Sequence, residues 1–235
     1  MQYLGGKSRI AKPLSLYLES RRDGRIYYEP FLGAAHVLLE MQGERIGSDV
    51  NHDLILMWQA VQSGWMPPES VSEIEYQALK ACCPCALRAY VGFQGSFGGK
   101  WFAGYAQNGR GDNYIHQGHR SLRYAFPRLQ GVKLITAPYN AIDGLQGFLI
   151  YCDPPYESTT QYNAAPSFDH GHFWQWVRNM SLRNVVLVSS YQAPSDFSSV
   201  WSIETHTEMR TNNGRALRVE KLFEYDGQRE YQTVT

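Results

Sequence analysis

Two short, uninterrupted apolar runs constrain the fold of this chain more than any other feature of its sequence. Residues 147–152 contain Phe-Leu-Ile-Tyr-Cys, residues 184–189 contain Val-Val-Leu-Val, and a helical pattern over residues 169–180 separates the two runs. Strands that are apolar on both faces are typical of a parallel sheet covered by helices on both sides. The sequence therefore predicts an open α/β sheet, a fold that binds ligands at the carboxyl ends of its strands.

The N-terminal part of the chain alternates strand-like and helix-like segments in the same way. Residues 25–31 have strand composition, residues 34–41 carry apolar residues at helical spacing, and residues 45–50 form a second strand-like segment. Asn51 or Asp53 is then placed to cap a further helix, because short polar side chains accept hydrogen bonds from the first turn. This order predicts a βαβ unit.

The remaining strand signals complete the predicted fold class. Residues 130–139 form one more strand-like segment, and residues 201–210 and 216–225 flank the turn signal Thr-Asn-Asn-Gly at 211–214. Such a turn between two strand-like segments predicts an antiparallel hairpin. The fold class expected is therefore α/β, with a mostly parallel sheet that ends in a C-terminal antiparallel hairpin.

Composition and cysteine spacing limit the class of protein. Of the 235 residues, 43% are hydrophobic and 14% are aromatic, which excludes disordered and collagen-like chains because a core can form. The N-terminus lacks an apolar signal segment, and no stretch approaches the roughly 18 uncharged apolar residues of a membrane span. Cysteines at 82, 83, 85 and 152 are spaced in a way that favours reduced thiols. We expect one large domain or two small ones, in a soluble cytoplasmic protein with no membrane partner.

The charges are distributed unevenly although the net charge is zero. Residues 86–133 carry seven basic residues and one acidic residue, so this segment has a charge of +6 and the rest of the chain −6. The segment is rich in glycine and aromatic residues and lacks a clear hydrophobic period, which makes it a poor candidate for another βα unit. We interpret it as a small inserted lobe, and DNA contact is favoured over a solvated face that covers a minor core.

The most specific motif is Asp153-Pro154-Pro155-Tyr156, which directly follows the apolar run 148–152. Proline restricts its own backbone and holds the preceding residue extended, so the motif is stiff and the Pro154 carbonyl must find a partner outside regular structure. The Asp153 carboxylate and this carbonyl are two acceptors, which match the two N–H donors of an exocyclic amino group. Binding both donors would free the nitrogen lone pair for attack. The Tyr156 ring, rather than its hydroxyl, is expected to stack on the ring that bears this amino group.

This motif resembles the catalytic motif of the S-adenosylmethionine-dependent DNA amino-methyltransferases, the adenine-N6 kind in particular. Residues 3–7 are similar to the aromatic-x-Gly-Gly-Lys element of that family, residues 29–35 to its first cofactor loop, and residues 48–51 to its acidic turn. The order of the motifs is that of the Dam-like (D12 class) group, which carries a target-recognition lobe before the catalytic motif. One departure is Ala35, which stands where the family's loop usually has glycine.

The resemblance implies a domain division and a role for each matching residue. Residues 1–80 and 131–235 would form a Rossmann-like methyltransferase domain, and residues 81–130 an inserted DNA target-recognition lobe. Asp49 would bind ribose hydroxyls and Lys7 the carboxylate end of S-adenosylmethionine. The full set of residues implied to bind the cofactor is Tyr3, Gly6, Lys7, Glu29, Phe31, Gly33, Asp49, Asn51 and Asp153. The residues implied to be catalytic are Asp153, Pro154, Pro155 and Tyr156.

The leading hypothesis is a DNA adenine-N6 methyltransferase that acts on a base extruded from double-stranded DNA. The residues expected to contact DNA are Arg88, Lys100, Arg110, Arg120 and Arg123. A catalytically silent DNA-binding protein remains an alternative, as does methylation of cytosine N4, RNA or a protein amide. No metal is expected, because His116 and His119 have no neighbouring carboxylate cluster in the sequence and the C-x-x-C segment has no second pair. Target sequence and oligomeric state stay open.

Overall fold

A computed structural model describes residues 1–107, 110–142, 144–156, 168–211 and 214–227, without the side chains of 206–211 and 214–218. The described residues form a mixed α/β fold with a seven-stranded sheet, in the order β3-β2-β1-β4-β5-β7-β6. The sheet is mostly parallel and its C-terminal strands are antiparallel, so the predicted fold class is confirmed. The strands are β1 (Ile26–Glu29), β2 (Arg45–Asp49), β3 (Lys133–Thr136), β4 (Phe148–Cys152), β5 (Val185–Ser190), β6 (Phe197–Thr211) and β7 (Gly214–Tyr225).

The described residues also form six α-helices and two short 3-10 turns. The α-helices are α1 (Ala11–Arg22), α2 (His52–Gln62), α3 (Glu73–Ala81), α4 (Ala86–Gln94), α5 (Tyr114–Arg128) and α6 (His170–Ser181). The 3-10 turns are Leu38–Glu40 and Phe97–Gly99. No helix within the described ranges is both long and apolar enough to cross a membrane.

The chain divides into two compact units. The first consists of Met1–Ser15 and Phe31–Tyr139, and the second of Leu16–Pro30 and Asn140–Thr235. Residues 81–130 therefore lie inside the first unit. The division into a catalytic domain and an insert at 81–130 stays a prediction.

The first unit packs its helices around the buried face of α2. β2 and β3 pair in parallel, with Asp49 opposite Thr136, and α2 follows β2 after two residues, of which the second, Asn51, is the helix cap. Leu54, Met57 and Trp58 on α2 are buried, which the apolar spacing of this helix predicts. The basic segment contains α4, α5 and a 3-10 turn, and its described part has no strand before its last residue, Lys133, where β3 begins, so it is not a βα unit.

The predicted helix over residues 34–41 is wrong. Only the 3-10 turn Leu38–Glu40 forms there, so an α-helix does not join β1 to β2 and the expected βαβ unit is absent from this segment. The physical reason is the backbone of the preceding loop: Gly33 and Ala35 both have positive φ, at +47° and +56°. A left-handed residue interrupts helical hydrogen bonding, and Leu38 and Leu39 are buried in the turn instead.

The second unit confirms both apolar runs as central strands. β4 pairs in parallel with β1 and with β5, and the residues from Leu149 to Cys152 are buried. β7 then pairs antiparallel with β5 and with β6, as the turn signal predicts, although Asn212 and Asn213 of that turn lie outside the described residues. An ion pair between Arg21 and Glu224, 2.6 Å, joins α1 to β7.

Candidate active site

Asp49 is the last residue of β2 and its carboxylate is held by backbone donors. Its Oδ2 accepts a hydrogen bond from the Gly33 amide at 3.0 Å, and its Oδ1 accepts one from the Asn51 amide at 2.9 Å. Burial raises the pKa of Asp49, and these two hydrogen bonds oppose the rise. Each carboxylate oxygen keeps a second lone pair, so the group retains acceptor capacity for a hydroxyl pair.

The loop that begins at Phe31 is fixed from two directions. The Trp58 indole on α2 donates a hydrogen bond to the Gly33 carbonyl at 2.9 Å. The Tyr3 ring covers Gly33 so closely that a Cβ at Gly33 would lie 3.1 Å from Tyr3 Cε1. Phe31 stacks on Tyr139, with ring centroids 5.4 Å apart. The Tyr3 ring and the Asp49 carboxylate therefore both contact Gly33, two residues after Phe31. The roles of these residues in cofactor binding stay predictions.

His36 belongs to this group although no sequence reasoning singled it out. A Cβ at Gly6 would lie 2.8 Å from His36 Cε1, so the Gly-Gly-Lys element fits against the imidazole only because Gly6 has no side chain. Burial lowers the pKa of His36 to about 4, so the ring is neutral. Within the described part of the chain its buried Nδ1 has no hydrogen-bond partner. The signal that could have found it is its place directly after the glycine loop.

Two further residues of the predicted cofactor set also have local structural roles. The Asn51 side chain accepts a hydrogen bond from the Leu54 amide at 3.2 Å and so caps α2. The Lys7 carbonyl accepts hydrogen bonds from the amides of Ile10 and Ala11 at the start of α1. Cofactor binding by Asn51 and Lys7 stays a prediction.

In the second unit, β4 delivers the Asp-Pro-Pro-Tyr motif at its carboxyl end. Asp153 is half-buried, Pro154 is buried, Pro155 is exposed and Tyr156 is buried. The strand ends because proline cannot donate to the ladder and the residue before it is kept extended. Residues 157–167, which follow the motif, lie outside the described part of the chain.

The Tyr156 hydroxyl has partners that the sequence analysis did not assign. It shares a hydrogen bond with Ser189 Oγ on β5 at 3.0 Å and donates one to Glu220 Oε2 on β7 at 3.1 Å. Tyr191 donates to the other oxygen of Glu220 at 3.3 Å, and its ring meets the Tyr156 ring edge-on at 4.7 Å. Burial, above all, raises the pKa of Tyr156 well above its ordinary value, so the hydroxyl stays protonated.

A cavity of about 240 Å³ opens beside this motif within the second unit. Its walls combine two prolines, four residues with phenyl, phenol or indole rings, and three further residues with polar side chains. The lining residues are Pro154, Pro155, Tyr156, His170, Phe173, Trp174, Ser190, Tyr191 and Gln192. Enzymes that extrude a base use pockets of this composition, in which aromatic side chains stack on the base and polar groups contact its edge.

Glu29 closes β1 in the second unit and is nearly inaccessible to solvent. Tyr27 donates a hydrogen bond to Glu29 Oε2 at 2.8 Å, and burial is the main cause that raises the pKa of Tyr27 well above its ordinary value. The contact ties the carboxylate to its own strand. This contact does not test whether Glu29 binds the cofactor, so that role stays a prediction.

The basic residues predicted to contact DNA fall into two groups. Arg88 is only 18% exposed: it pairs with Asp53 at 2.5 Å, and its guanidinium lies 5.2 Å from the Trp101 ring centroid. Lys100, Arg110, Arg120 and Arg123 are exposed. Arg88 therefore has a structural role inside the first unit, whereas the other four present their charge to solvent.

The expectation that His116 and His119 lack a carboxylate neighbour is wrong. The chain brings Glu69, which lies 47 residues before His116, to a distance of 2.5 Å from His116 Nδ1. The hydrophobic pattern of the sequence could not have indicated this contact, because α3, α4 and the loops around them separate the two residues along the chain. The cysteines at 82, 83 and 85 are free thiols, as expected.

Comparison with known proteins supports the predicted resemblance in the N-terminal part of the chain. The family of D12 class N6 adenine-specific DNA methyltransferases matches residues 3–81. That range contains every predicted cofactor residue except Asp153, and the catalytic motif lies beyond it. The match confirms the resemblance, supports methyltransferase activity and implies the use of S-adenosylmethionine in general. No curated protein sequence matches the chain significantly.

Solved structures with a similar fold include three at low sequence identity. A provisionally named RNA methyltransferase of Pyrococcus horikoshii has 10% identity and a TM-score of 0.45, with 94% of this chain and 85% of that chain covered. The rRNA methyltransferase AviRa of Streptomyces viridochromogenes has 13% identity and a TM-score of 0.40, with 93% and 86% covered. The precorrin 8w decarboxylase of Methanobacterium thermoautotrophicum has 7% identity and a TM-score of 0.42, with 95% and 92% covered. None of these similarities indicates the substrate of this protein.

Proposed function

We propose that this protein is a DNA adenine-N6 methyltransferase that uses S-adenosylmethionine and acts on an adenine extruded from double-stranded DNA. The observation that carries the proposal is the cavity beside β4, whose wall begins with Pro154, Pro155 and Tyr156 directly after Asp153. An enzyme that modifies a stacked base must take it out of the duplex, and an aromatic-lined pocket is the usual receptor.

The motif supplies the chemistry that amine methylation requires. The Asp153 carboxylate and the Pro154 carbonyl accept hydrogen bonds from the two N–H groups of the adenine amino group. These bonds localise the nitrogen lone pair for attack on the methyl group. Tyr156 and Tyr191 position the ring of the base. No covalent enzyme intermediate is needed, because the protein's task is to orient the amine and activate it.

The residues of the first unit fit S-adenosylmethionine by the chemistry of their donors and acceptors. Asp49 offers acceptors for ribose hydroxyls, and the absence of a side chain at Gly6 and Gly33 lets the His36 and Tyr3 rings pack directly against the loops that carry the predicted cofactor residues. Lys7 is proposed to bind the carboxylate of the cofactor, and Tyr3 and Phe31 to contact it. When bound, S-adenosylmethionine supplies a methyl group activated by its sulfonium.

A methyl-transfer assay on defined nucleic acids tests this proposal directly. The protein is incubated with S-adenosylmethionine labelled in its methyl group and with double-stranded DNA, single-stranded DNA or RNA, and digested products are identified by mass spectrometry. We expect N6-methyladenine from double-stranded DNA. If the main product were N4-methylcytosine or labelled RNA, the protein would have a different substrate from the one proposed. DNA binding without methyl transfer would identify a catalytically silent DNA-binding protein.

The exposed basic residues provide a second test, with Arg88 as the matched comparison. Each phosphate contact that is removed should lower the slope of log affinity against log salt by roughly 0.9. We expect this change for Arg120→Ala and Arg123→Ala. Arg88→Ala should mainly reduce stability, because it leaves Asp53 buried without its partner. Unchanged salt slopes for both exposed arginines would place the DNA contacts elsewhere.

A further inference from the structure

Three potential metal ligands meet in the first unit, outside the predicted cofactor and catalytic sets. Two of them lie on α5, the helix that also carries the exposed arginines Arg120 and Arg123. We call Glu69, His116 and His119 the Glu69 cluster. One ligand atom of each residue lies within 4.8 Å of those of the other two. Two imidazoles and one carboxylate form a ligand set that zinc-binding proteins use, with a fourth position left for water.

The hydrogen bonds of the buried member of the cluster present its lone pair to the carboxylate. His119 Nε2 lies 3.1 Å from the Pro68 carbonyl oxygen, which can only accept, so Nε2 carries the proton. In the neutral imidazole, Nδ1 is then the lone-pair atom, and it lies 3.6 Å from Glu69 Oε1. Metal-binding histidines commonly donate their other ring N–H to a backbone carbonyl, which orients the ring.

The exposed histidine approaches the same carboxylate from the first turn of α5. His116 Nδ1 lies 2.5 Å from Glu69 Oε2, and the two imidazole centroids are 5.2 Å apart. Each imidazole is therefore close to a different oxygen of the same carboxylate.

Residues outside the cluster hold these side chains in place. Asn113 caps α5 through the His116 amide at 2.9 Å, and its own side-chain amide donates to the Glu69 carbonyl at 2.9 Å. Tyr90 donates a hydrogen bond to the Ile115 carbonyl from α4. The backbone of Glu69 and the start of α5 are thus held together without a metal. A metal would therefore have to order only the three ligand side chains when it binds.

We propose that the Glu69 cluster binds a divalent transition metal of the zinc class and so links the segment before α3 to the first turn of α5. This proposal reverses the expectation of no metal that the sequence supports. It is independent of the methyltransferase assignment, because no residue of the cluster lies in the predicted cofactor or catalytic set.

Titration with Co²⁺ and Zn²⁺ tests the proposal. The background variant carries Cys82→Ser, Cys83→Ser and Cys85→Ser, because these thiols would otherwise take up soft metals and a serine preserves the cap of α4. We expect one equivalent of Co²⁺ with visible ligand-field absorption, displacement of the cobalt by Zn²⁺, and a melting temperature that rises with Zn²⁺ until the site saturates.

Three single variants separate a specific site from adventitious binding. Glu69→Gln and His116→Ala change exposed residues, so folding should persist, and we expect the dissociation constant for Zn²⁺ to rise on the order of 10–100-fold or more. His52→Ala removes another exposed histidine and should leave binding unchanged. No cobalt absorption in the background variant, or equal losses for His52→Ala and His116→Ala, would overturn the proposal.

Discussion

Two strand ends of this protein hold their key side chains by different means. At the end of β2 in the first unit, both oxygens of Asp49 accept hydrogen bonds from backbone amides, and the partners lie 16 and two residues away in the chain. Beyond the end of β4 in the second unit, the Tyr156 hydroxyl contacts side chains 33 and 64 residues away. The first arrangement is local and the second depends on the C-terminal hairpin.

This difference has consequences for how each region tolerates substitution. Backbone donors are present whatever the neighbouring side chains are, so the Asp49 region should respond mainly to changes of Asp49 itself. The Tyr156 region relies on three side chains that contact one another: Tyr156, Tyr191 and Glu220. Residues that share one hydrogen-bond network have non-additive effects, so substitutions here should be coupled.

The largest expected effect is that of Asp153→Ala on the second region. The rate of single-turnover methyl transfer should fall by a factor on the order of 10²–10³, because the variant loses one preorganised hydrogen-bond acceptor. Asp153 is half-buried and directly follows β4, so the fold should persist in urea unfolding. A rate within tenfold of the parent would contradict the catalytic assignment of Asp153.

The next largest effect is expected for Asp49→Asn in the first region. The affinity for S-adenosylmethionine should weaken by about 1.5–3 kcal/mol, because a charged acceptor of hydroxyl groups is lost. Calorimetric titration measures this change, and His52→Ala, at an exposed neighbouring residue outside the predicted cofactor set, is the matched control. Equal losses in both variants would indicate that the loop geometry, rather than the carboxylate, determines affinity.

The pH dependence of cofactor affinity sharpens the same assignment. Because burial raises the pKa of Asp49, its carboxylate takes up a proton at a higher pH than an ordinary aspartate does. Affinity in the parent should therefore fall as the pH is lowered into the acid range, and Asp49→Asn should lack that part of the dependence. Identical pH profiles would contradict a role for the Asp49 charge.

Tyr156→Phe tests the side-chain network of the second region. The free energy of unfolding should decrease by about 1–2 kcal/mol, because the half-buried Glu220 and the buried Ser189 lose a hydrogen-bond partner. Methyl transfer should be impaired less than in Tyr156→Ala, since the ring, whose stacking on a base is worth about 1–3 kcal/mol, is retained. Denaturant unfolding of Tyr156→Phe, Tyr191→Phe and the double variant should show coupling, whereas strict additivity would contradict a shared network.

The smallest effect is expected for Ala35→Gly in the first region. Ala35 has a φ of +56°, which strains a residue with a Cβ, so glycine should raise the free energy of unfolding by about 0.5–1 kcal/mol. Ala34→Gly is the matched control, because Ala34 is also buried but does not have a positive φ, and it should destabilise the protein. Equal destabilisation in both variants would contradict the assignment of strain to Ala35.

The features that could be predicted from the sequence depend on short-range rules. The runs that became β4 and β5 are recognisable because a strand buried on both faces needs apolar residues throughout. Asn51 is recognisable as the cap of α2 because a short polar side chain satisfies the amides of the first turn. The cofactor-side motifs also lie close together in the chain, and the family match over residues 3–81 confirms the resemblance there.

Only the tertiary structure decided the features that join distant segments. Ala35 takes a left-handed conformation in a loop held by Tyr3 and Trp58, and this overrides the helical spacing of residues 34–41. Glu220 reaches Tyr156 through the pairing of β7 with β5, and Glu69 reaches His116 through the packing around α4 and α5. Propensity and hydrophobic period act within one element, whereas these contacts depend on how several elements pack, which the local pattern of residues does not encode.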